Sequence, residues 1–561
     1  MLTEEMTKRV KIIIGILITV FSLLIVRTAY LTVLKGKDLS VMTDKQYKIY
    51  EPIGNLKYIL QDRNGKELLN YKTKYYFVID VDSYIKNNRD TDITRLNSLI
   101  YILRNYNKDY DLTELKPNTT SKRIYYEIDL TTYDKLKDIK DIKGIYCYMK
   151  SEVDRSDTWK YTNMLTNALD SNNKTKPADS IEGFIADKTK DNIYSQIAFD
   201  KDVNGLITEG KYIVPENNVN IKLTTDKSIE DKIKDILKQN KFSQYPQIGV
   251  ALMEADTGKI LAMVQKDDQK PNILLCSATE NGFEPGSIFK TVIEEAALEK
   301  DKSLYNMEIQ CKEDHKSHGT VDMEAAYIVS CNTYFGQMGS TLGFKNIYTM
   351  ARNQGIFDKV LNFSGNNEVM GDILAPEKLD LKKVFANNYG IVKNVKPADN
   401  PETMLGIGQS MRITPLQALN IVSTVVNDGT YVKPYIIDSL VDNDGNTVQK
   451  FDTSKSTAFK KATALTVKEN MKEVLTNTSG TGKQAYIQGM ECGGKTGTST
   501  RYVQEEGVSQ KYSDGWFIGF VKNKGRYYSA VVYVQAIDVD TEGGGSTAAP
   551  IFKEVMNSVL N

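Results

Sequence analysis

Three features of the chain predict an α+β fold built on an antiparallel sheet covered by helices. The first is Ile248 to Val264, IGVALMEADTGKILAMV, where two apolar runs flank Asp256-Thr-Gly258 in the pattern of a buried β-hairpin. The second is a pair of adjoining strands near the end of the chain, Tyr512 to Gly519 and Tyr527 to Gln535. The third is what lies between and after them. Helical patterns run from Ser287 towards Lys300, over Met323 to Val329 and within Met404 to Asn427, and Pro550 to Leu560 closes the chain. Strands at both ends of a region with helices between them give a sheet with both faces covered.

The remaining elements follow in order. Lys8, Arg9 and Lys11 precede an apolar run from Ile12 to Val26. Fifteen helical residues cover only about 22 Å, but continuation through Thr28 to Leu34 reaches the roughly 30 Å of a bilayer core. The expected element is an uncleaved signal anchor, with the basic end in the cytoplasm and everything after about Lys35 outside. From Lys45 to Val81, polar and apolar residues alternate around a turn at Asp62-Arg-Asn-Gly65, a strand, turn, strand signature. Thr91 to Gly210 is rich in Lys, Asp, Asn and Tyr, with short amphipathic helices such as Thr94 to Arg104. Near Asn220 a strand leads into an amphipathic helix, and the apolar hairpin follows. The expected divisions are therefore 1–34 (tail and anchor), 35–215 (an elongated N-terminal α+β domain) and 216–561.

Composition narrows the function. The chain has 561 residues, 41% of them hydrophobic, enough for more than one sizeable core. Lys and Arg total 72, as do Asp and Glu, and no long basic run occurs, so nucleic acid is not the expected partner. Five scattered cysteines argue against a disulfide framework.

Chemistry enters at Glu284-Pro-Gly-Ser287-Ile-Phe-Lys290. Pro285 and Gly286 set a turn into a helix, so Ser287 lies in its first turn with Lys290 one turn on and facing the same way. A dry, cation-rich pocket would lower the pKa of Lys290, and its neutral amine could take the Ser287 proton. The bare spacing is not diagnostic, since Ser83/Lys86 and Ser171/Lys174 share it in polar contexts. Two later segments give it weight: Ser330-Cys331-Asn332 after an apolar helix, and Gly494-Lys-Thr-Gly-Thr498 before the C-terminal strands. Ser-x-x-Lys, Ser-x-Asn and Lys-Thr-Gly in that order mark serine acyl-transferases that react with penicillin.

With these motifs, the chain resembles the class B penicillin-binding proteins, membrane-anchored D,D-transpeptidases that cross-link peptidoglycan. Asp256-Thr-Gly-Lys-Ile-Leu-Ala262, Thr414-Pro-Leu-Gln417 and Trp516-Phe-Ile-Gly-Phe520 extend the likeness. The family's Arg-Gly pair before the early turn is missing from Ile53 to Leu60, and Ile288 replaces a commoner small residue. The resemblance implies the fold shared by these transpeptidases and serine β-lactamases. It implies that Ser287 attacks the penultimate D-Ala carbonyl of a stem peptide, with Lys290 as general base. Ser330 relays the proton to the leaving D-alanine and Asn332 bonds the substrate amide. Lys495 supplies positive charge, and the hydroxyls of Thr496 and Thr498 bind the substrate carboxylate. The backbone N–H groups of Ser287 and Thr498 form the oxyanion site, with Gly494 and Gly497 allowing close approach. β-Lactam antibiotics are expected covalent inhibitors. No second catalytic set is found between Lys35 and Gly210, so a separate glycan polymerase is the expected partner. Competing readings are a membrane-anchored serine β-lactamase and a penicillin-binding sensor.

A metal site is also expected. Both histidines of the chain fall in Cys311-Lys-Glu-Asp-His315-Lys-Ser-His318, and Cys331 lies inside the Ser-x-Asn motif. Thiolate and imidazole suit a structural Zn²⁺, held by Cys311, His315, His318 and Cys331, with Cys276 or Asp314 as replacements. Its role would be to pin the loop before Ser330; the serine chemistry needs no cofactor.

Overall fold

The computed structural model describes residues 4–35, 47–116, 122–279, 282–312, 317–374, 392–393, 401–505, 508–538 and 540–560. The chain divides into two compact units, one made of Met1–Lys57, Tyr71–Val153 and Ile193–Glu216, the other of Tyr58–Asn70, Asp154–Asn192 and Asn217–Asn561.

The first unit begins with helix α1 (Glu4–Ala29), which continues in a π-helical turn over Tyr30–Leu34. Met6–Leu34 is long and apolar enough to cross a membrane, and its central residues bury nothing against the rest of the protein. Beyond it lies a sheet of β1 (Tyr71–Asp80), β2 (Arg123–Ile128) and β3 (Ile145–Val153), with β1 in the middle and antiparallel to both neighbours. The two-residue period of β1 sorts its side chains. Phe77 and Ile79 enter one core with Leu99 and Leu103 of helix α2 (Ile93–Tyr106), while Val78 enters another with Ile49, Ile197 and Phe199. The expected helix at Thr94 to Arg104 is thus present, and Asp92 caps it by accepting the Thr94 N–H at 2.9 Å.

The second unit is organised by five antiparallel strands. These are β4 (Ile248–Glu254), β5 (Lys259–Gln265), β6 (Glu491–Glu505), β7 (Val508–Asn523) and β8 (Arg526–Ile537), in the order β5-β4-β8-β7-β6. The predicted hairpin is β4–β5 and the predicted C-terminal pair is β7–β8. Every residue of β4 is buried, as a strand covered on both faces requires. The covering helices include α6 (Pro415–Val426), α7 (Lys461–Thr476) and α8 (Ala548–Leu560), while α3 (Lys290–Lys300) and α4 (Met323–Val329) pack on α7, and α5 (Asn332–Leu342) packs on α3. α6 has a capping box: Thr414 Oγ1 accepts the Gln417 N–H at 3.0 Å, Gln417 Oε1 accepts the Thr414 N–H at 2.8 Å, and Pro415 opens the first turn.

The early turn departs from a simple hairpin. Asp62 Oδ1 accepts the N–H groups of Asn64 and Lys66, both at 2.8 Å, so the turn forms where expected. Its strand Leu60–Gln61, however, runs parallel to Ile221 and Lys222 in a sheet of the second unit.

Candidate active site

The nucleophile turn is fixed by glycine. Gly286 has φ +55°, and a Cβ there would lie 2.5 Å from the Thr498 carbonyl oxygen. Pro285 precedes it, and Gly286–Phe289 form a 3₁₀ turn that runs straight into α3. Ser287 therefore sits in a tighter turn than the predicted α-helical start, half-buried, with Lys290 at the first α-helical position. A Cβ on Gly497 would meet Ile288 Cγ2 and the Pro285 oxygen, each at 2.9 Å. Two segments more than half the catalytic unit apart in sequence touch only because both lack a side chain at the contact.

Ser330 is the meeting point. It ends α4 in the left-handed region, φ 59° and ψ 43°, a conformation that a non-glycine residue holds only when its surroundings enforce it. Lys290 Nζ donates to Ser330 Oγ at 3.2 Å, to the Ser330 carbonyl at 2.6 Å and to Asn332 Oδ1 at 2.6 Å. Lys495 Nζ donates to the same Oγ at 2.9 Å. Both lysines are fully buried. Lys290 Nζ lies 5.6 Å from the centroid of Phe335, and Lys495 Nζ 5.5 Å from that of Tyr327, so an aromatic ring borders each amine. Burial pulls the Lys495 pKa well down, and the nearby Lys290 charge adds to this.

β6 is the outer strand of its sheet, the position at which an extended peptide can add as a further strand. Gly494, Lys495, Thr496, Gly497 and Thr498 pair with β7 from Gly519 to Gly515. Thr496 Oγ1 shares a 2.8 Å hydrogen bond with Thr481 Oγ1, and Thr498 Oγ1 accepts the Gly544 N–H at 3.1 Å. Thr498 is exposed. Thr481, Gly544 and Tyr327 were not singled out from the sequence, because no local pattern ties them to the motifs they support. Glu294 was also missed; its place one turn after Lys290 is visible in the sequence, but its burial is not.

The thiol and imidazole groups also come together. Cys311, His318 and Cys331 place their ligand atoms within 4.8 Å of one another. Cys311 Sγ is 3.3 Å from His318 Nδ1 and 3.2 Å from Cys331 Sγ. Cys331 also caps α5, its sulfur accepting the Tyr334 N–H at 3.4 Å. His315 and Asp314 lie outside the described residues. Cys276 is not part of this group; its thiol donates to the Ile273 carbonyl at 3.6 Å.

Comparison with known proteins adds an independent line. The family described as "Penicillin binding protein transpeptidase domain" matches residues 248–557. Stage V sporulation protein D of Bacillus subtilis is 24% identical over 99% of this chain and 85% of its own length. A peptidoglycan D,D-transpeptidase PbpA of Mycobacterium tuberculosis is 24% identical, over 61% of this chain and 72% of its own. Among solved structures, a peptidoglycan synthetase from Bifidobacterium adolescentis superposes with a TM-score of 0.60 at 16% identity, covering 91% of this chain and 96% of that one. Penicillin-binding protein 3 of Mycobacterium tuberculosis, complexed with aztreonam, gives 0.56 at 16% identity over the same shares.

Proposed function

The chain belongs to the penicillin-binding protein transpeptidase family, and from that premise we propose that it is a class B peptidoglycan D,D-transpeptidase acting through an acyl-enzyme on Ser287. The observation that carries the mechanism is the double donation to Ser330 Oγ, by Lys290 from 40 positions away and by Lys495 from 165. One amine serves as base towards Ser287 and the other holds charge for the substrate.

The steps follow from these positions. Lys290, as a neutral amine, takes the Ser287 proton while Oγ bonds to the penultimate D-Ala carbonyl carbon. The N–H groups of Ser287 and Thr498 receive the oxyanion. The tetrahedral intermediate collapses by breaking the bond to the terminal D-alanine, whose nitrogen receives the proton through Ser330 Oγ. Lys495, Thr496 and Thr498 bind the substrate carboxylate, with Thr481 and Gly544 orienting the two threonine hydroxyls. An amine of a second stem peptide then attacks the ester and frees Ser287. β-Lactams enter the same path and stop at the acyl-enzyme. The apolar helix Met6–Leu34 supports a membrane anchor, with the second unit, which takes Tyr58–Asn70 and Asp154–Asn192 out of the expected 35–215 division, as the extracytoplasmic catalytic part, the rest of 35–215 as a pedestal, and a separate glycan polymerase as partner.

Labelling with a fluorescent penicillin tests this reading. Wild type is expected to label and to release the label slowly; Ser287→Ala is expected not to label while keeping its melting temperature. A mutant that labels as well as wild type overturns the nucleophile, and rapid release from wild type favours a β-lactamase.

A structural zinc is the second part of the reading. Two buried sulfurs and an imidazole nitrogen that converge on one point suit tetrahedral Zn²⁺. Cys311, His318 and Cys331 would hold it. Bound there, the ion would fix Cys331 between Ser330 and Asn332 without taking part in the chemistry. Elemental analysis of the purified chain is expected to give one zinc per molecule; no stoichiometric metal overturns the site.

A further inference from the structure

Gly543, Gly544 and Gly545 run consecutively just before α8, and their surroundings give them different reasons to be glycine. A Cβ on Gly544 would lie 2.2 Å from the carbonyl oxygens of both Gly497 and Trp516, and one on Gly545 2.4 Å from that of Thr481. These two let the segment lie against the backbone of β6 and β7. Gly543 is not needed for that contact. Among the described residues, the one atom within 4 Å of a Cβ there is Thr498 Oγ1, at 3.0 Å. Its φ lies outside the left-handed region, so backbone conformation does not call for glycine either.

The Gly543 backbone is fixed in place. Its N–H donates to Ser546 Oγ at 3.0 Å, and its carbonyl accepts from Thr547 Oγ1 at 2.8 Å and from the Thr547 N–H at 3.0 Å. A side chain added at this position could not retreat, so the Thr498 hydroxyl would have to move. That hydroxyl is set up for an outside partner. Thr498 Oγ1 accepts the Gly544 N–H at 3.1 Å and makes no other hydrogen bond among the described residues, which leaves its hydrogen to donate. Thr498 is exposed and Gly543 half-buried, so an incoming ligand can reach the pair.

We propose that Gly543 is a positioning residue that selects acyl donors ending in a free carboxylate: the Cβ it lacks leaves the Thr498 hydroxyl in the rotamer that donates to that carboxylate. This deepens the transpeptidase reading and rests on it. Gly544 supplies the N–H that orients the hydroxyl, and Gly543 supplies the space beside it. A methyl group at position 543 pushes Oγ1 off the Gly544 N–H and turns the donor away from the anion. The Thr498 backbone stays in its ladder with β7, so the oxyanion site, Ser287 and Lys290 are untouched.

The test compares two donors on the full chain in detergent: an N-acyl-D-alanyl thioglycolate, which ends in a carboxylate, and its methyl ester, which does not. Acylation forms the bond from Ser287 Oγ to the acyl carbon and breaks the carbon–sulfur bond, and the leaving sulfur takes the proton. Loss of thioester absorbance against donor concentration gives a half-saturating concentration and a limiting rate for each. Gly543→Ala is expected to raise the half-saturating concentration of the carboxylate donor about tenfold with its limiting rate unchanged, and to leave both constants of the methyl ester at wild-type values. Thr498→Ala is expected to lose the preference for the carboxylate donor. Adding Gly543→Ala to it is expected to cost nothing more, because the one atom that the new methyl would meet is gone. Ser546→Ala loosens the loop without placing an atom beside Thr498 and is expected to keep the preference. An unmoved carboxylate constant in Gly543→Ala, an equal loss on both donors, a further loss in the double variant or an equal shift in Ser546→Ala overturns the proposal. So does a Gly543→Ala chain that does not fold, since position 543 would then serve packing, and so does wild type that treats the two donors alike. Wild type acylated by neither donor would instead overturn the transpeptidase reading.

Discussion

Helices α2 and α3 come from the two units of the chain and obey opposite rules. α2 is amphipathic: Leu99 and Leu103 are buried, its polar residues face outward, and Asp92 caps its start. α3 has no side-chain cap and buries every residue from Lys290 to Leu298, among them one lysine and two glutamates. In α2 each side chain serves the fold. In α3 the fold surrounds polar groups that destabilise it, and packing on both sides makes up the difference. A helix whose burial ignores polarity thus points to chemistry, because perturbed groups cluster at functional sites.

The contrast makes stability and activity separable. The largest expected change in stability is at α2. Leu103→Ala removes a fully buried side chain from the core formed with Phe77, Ile79 and Leu99, at an expected cost of about 2–5 kcal/mol. Labelling of the molecules that remain folded is expected to keep the wild-type rate. Ser287→Ala should do the reverse, abolishing labelling with little change in melting temperature. Denaturant melts read by tryptophan fluorescence and by far-UV circular dichroism, alongside labelling rates at the same temperature, make the comparison. If Leu103→Ala slows labelling of folded protein, the division of labour fails.

Much of this could be read from the residues, and the reason is local. The hairpin at Asp256-Thr-Gly258, the capped helix after Thr414 and the strands after Tyr512 follow from patterns a few residues long. The three motifs could be brought together because their order is distinctive, and their contact has a visible cause in Gly286 and Gly497. What stayed hidden depends on partners far away. Leu60 joins Ile221 across a long insertion, and Thr481 reaches Thr496 from outside any motif. Glu294 and Glu295 sit in IEEAALEK, where such residues read as an outward face; only the hydrogen bonds they accept from Asn470 and Gln354 reveal them as interior.

The smallest expected effect isolates what those interior carboxyls cost. Burial holds Glu295 well above its ordinary value of 4.5, against the Gln354 hydrogen bond. The folded chain keeps this proton while the unfolded chain releases it above about pH 4.5, so the unfolded state binds fewer protons and stability falls as pH rises. Glu295→Gln presents the same donor and acceptor to Gln354 and cannot ionise. The variant and wild type are expected to melt together near pH 4.5 and to separate as pH is raised towards 8, with the variant the more stable. Melting curves across that range decide it. Parallel curves would mean that Glu295 is ionised in the fold and that α3 tolerates a buried charge there. The contrast with α2 would then lie in charge pairing beyond Gln354 rather than in a stored proton.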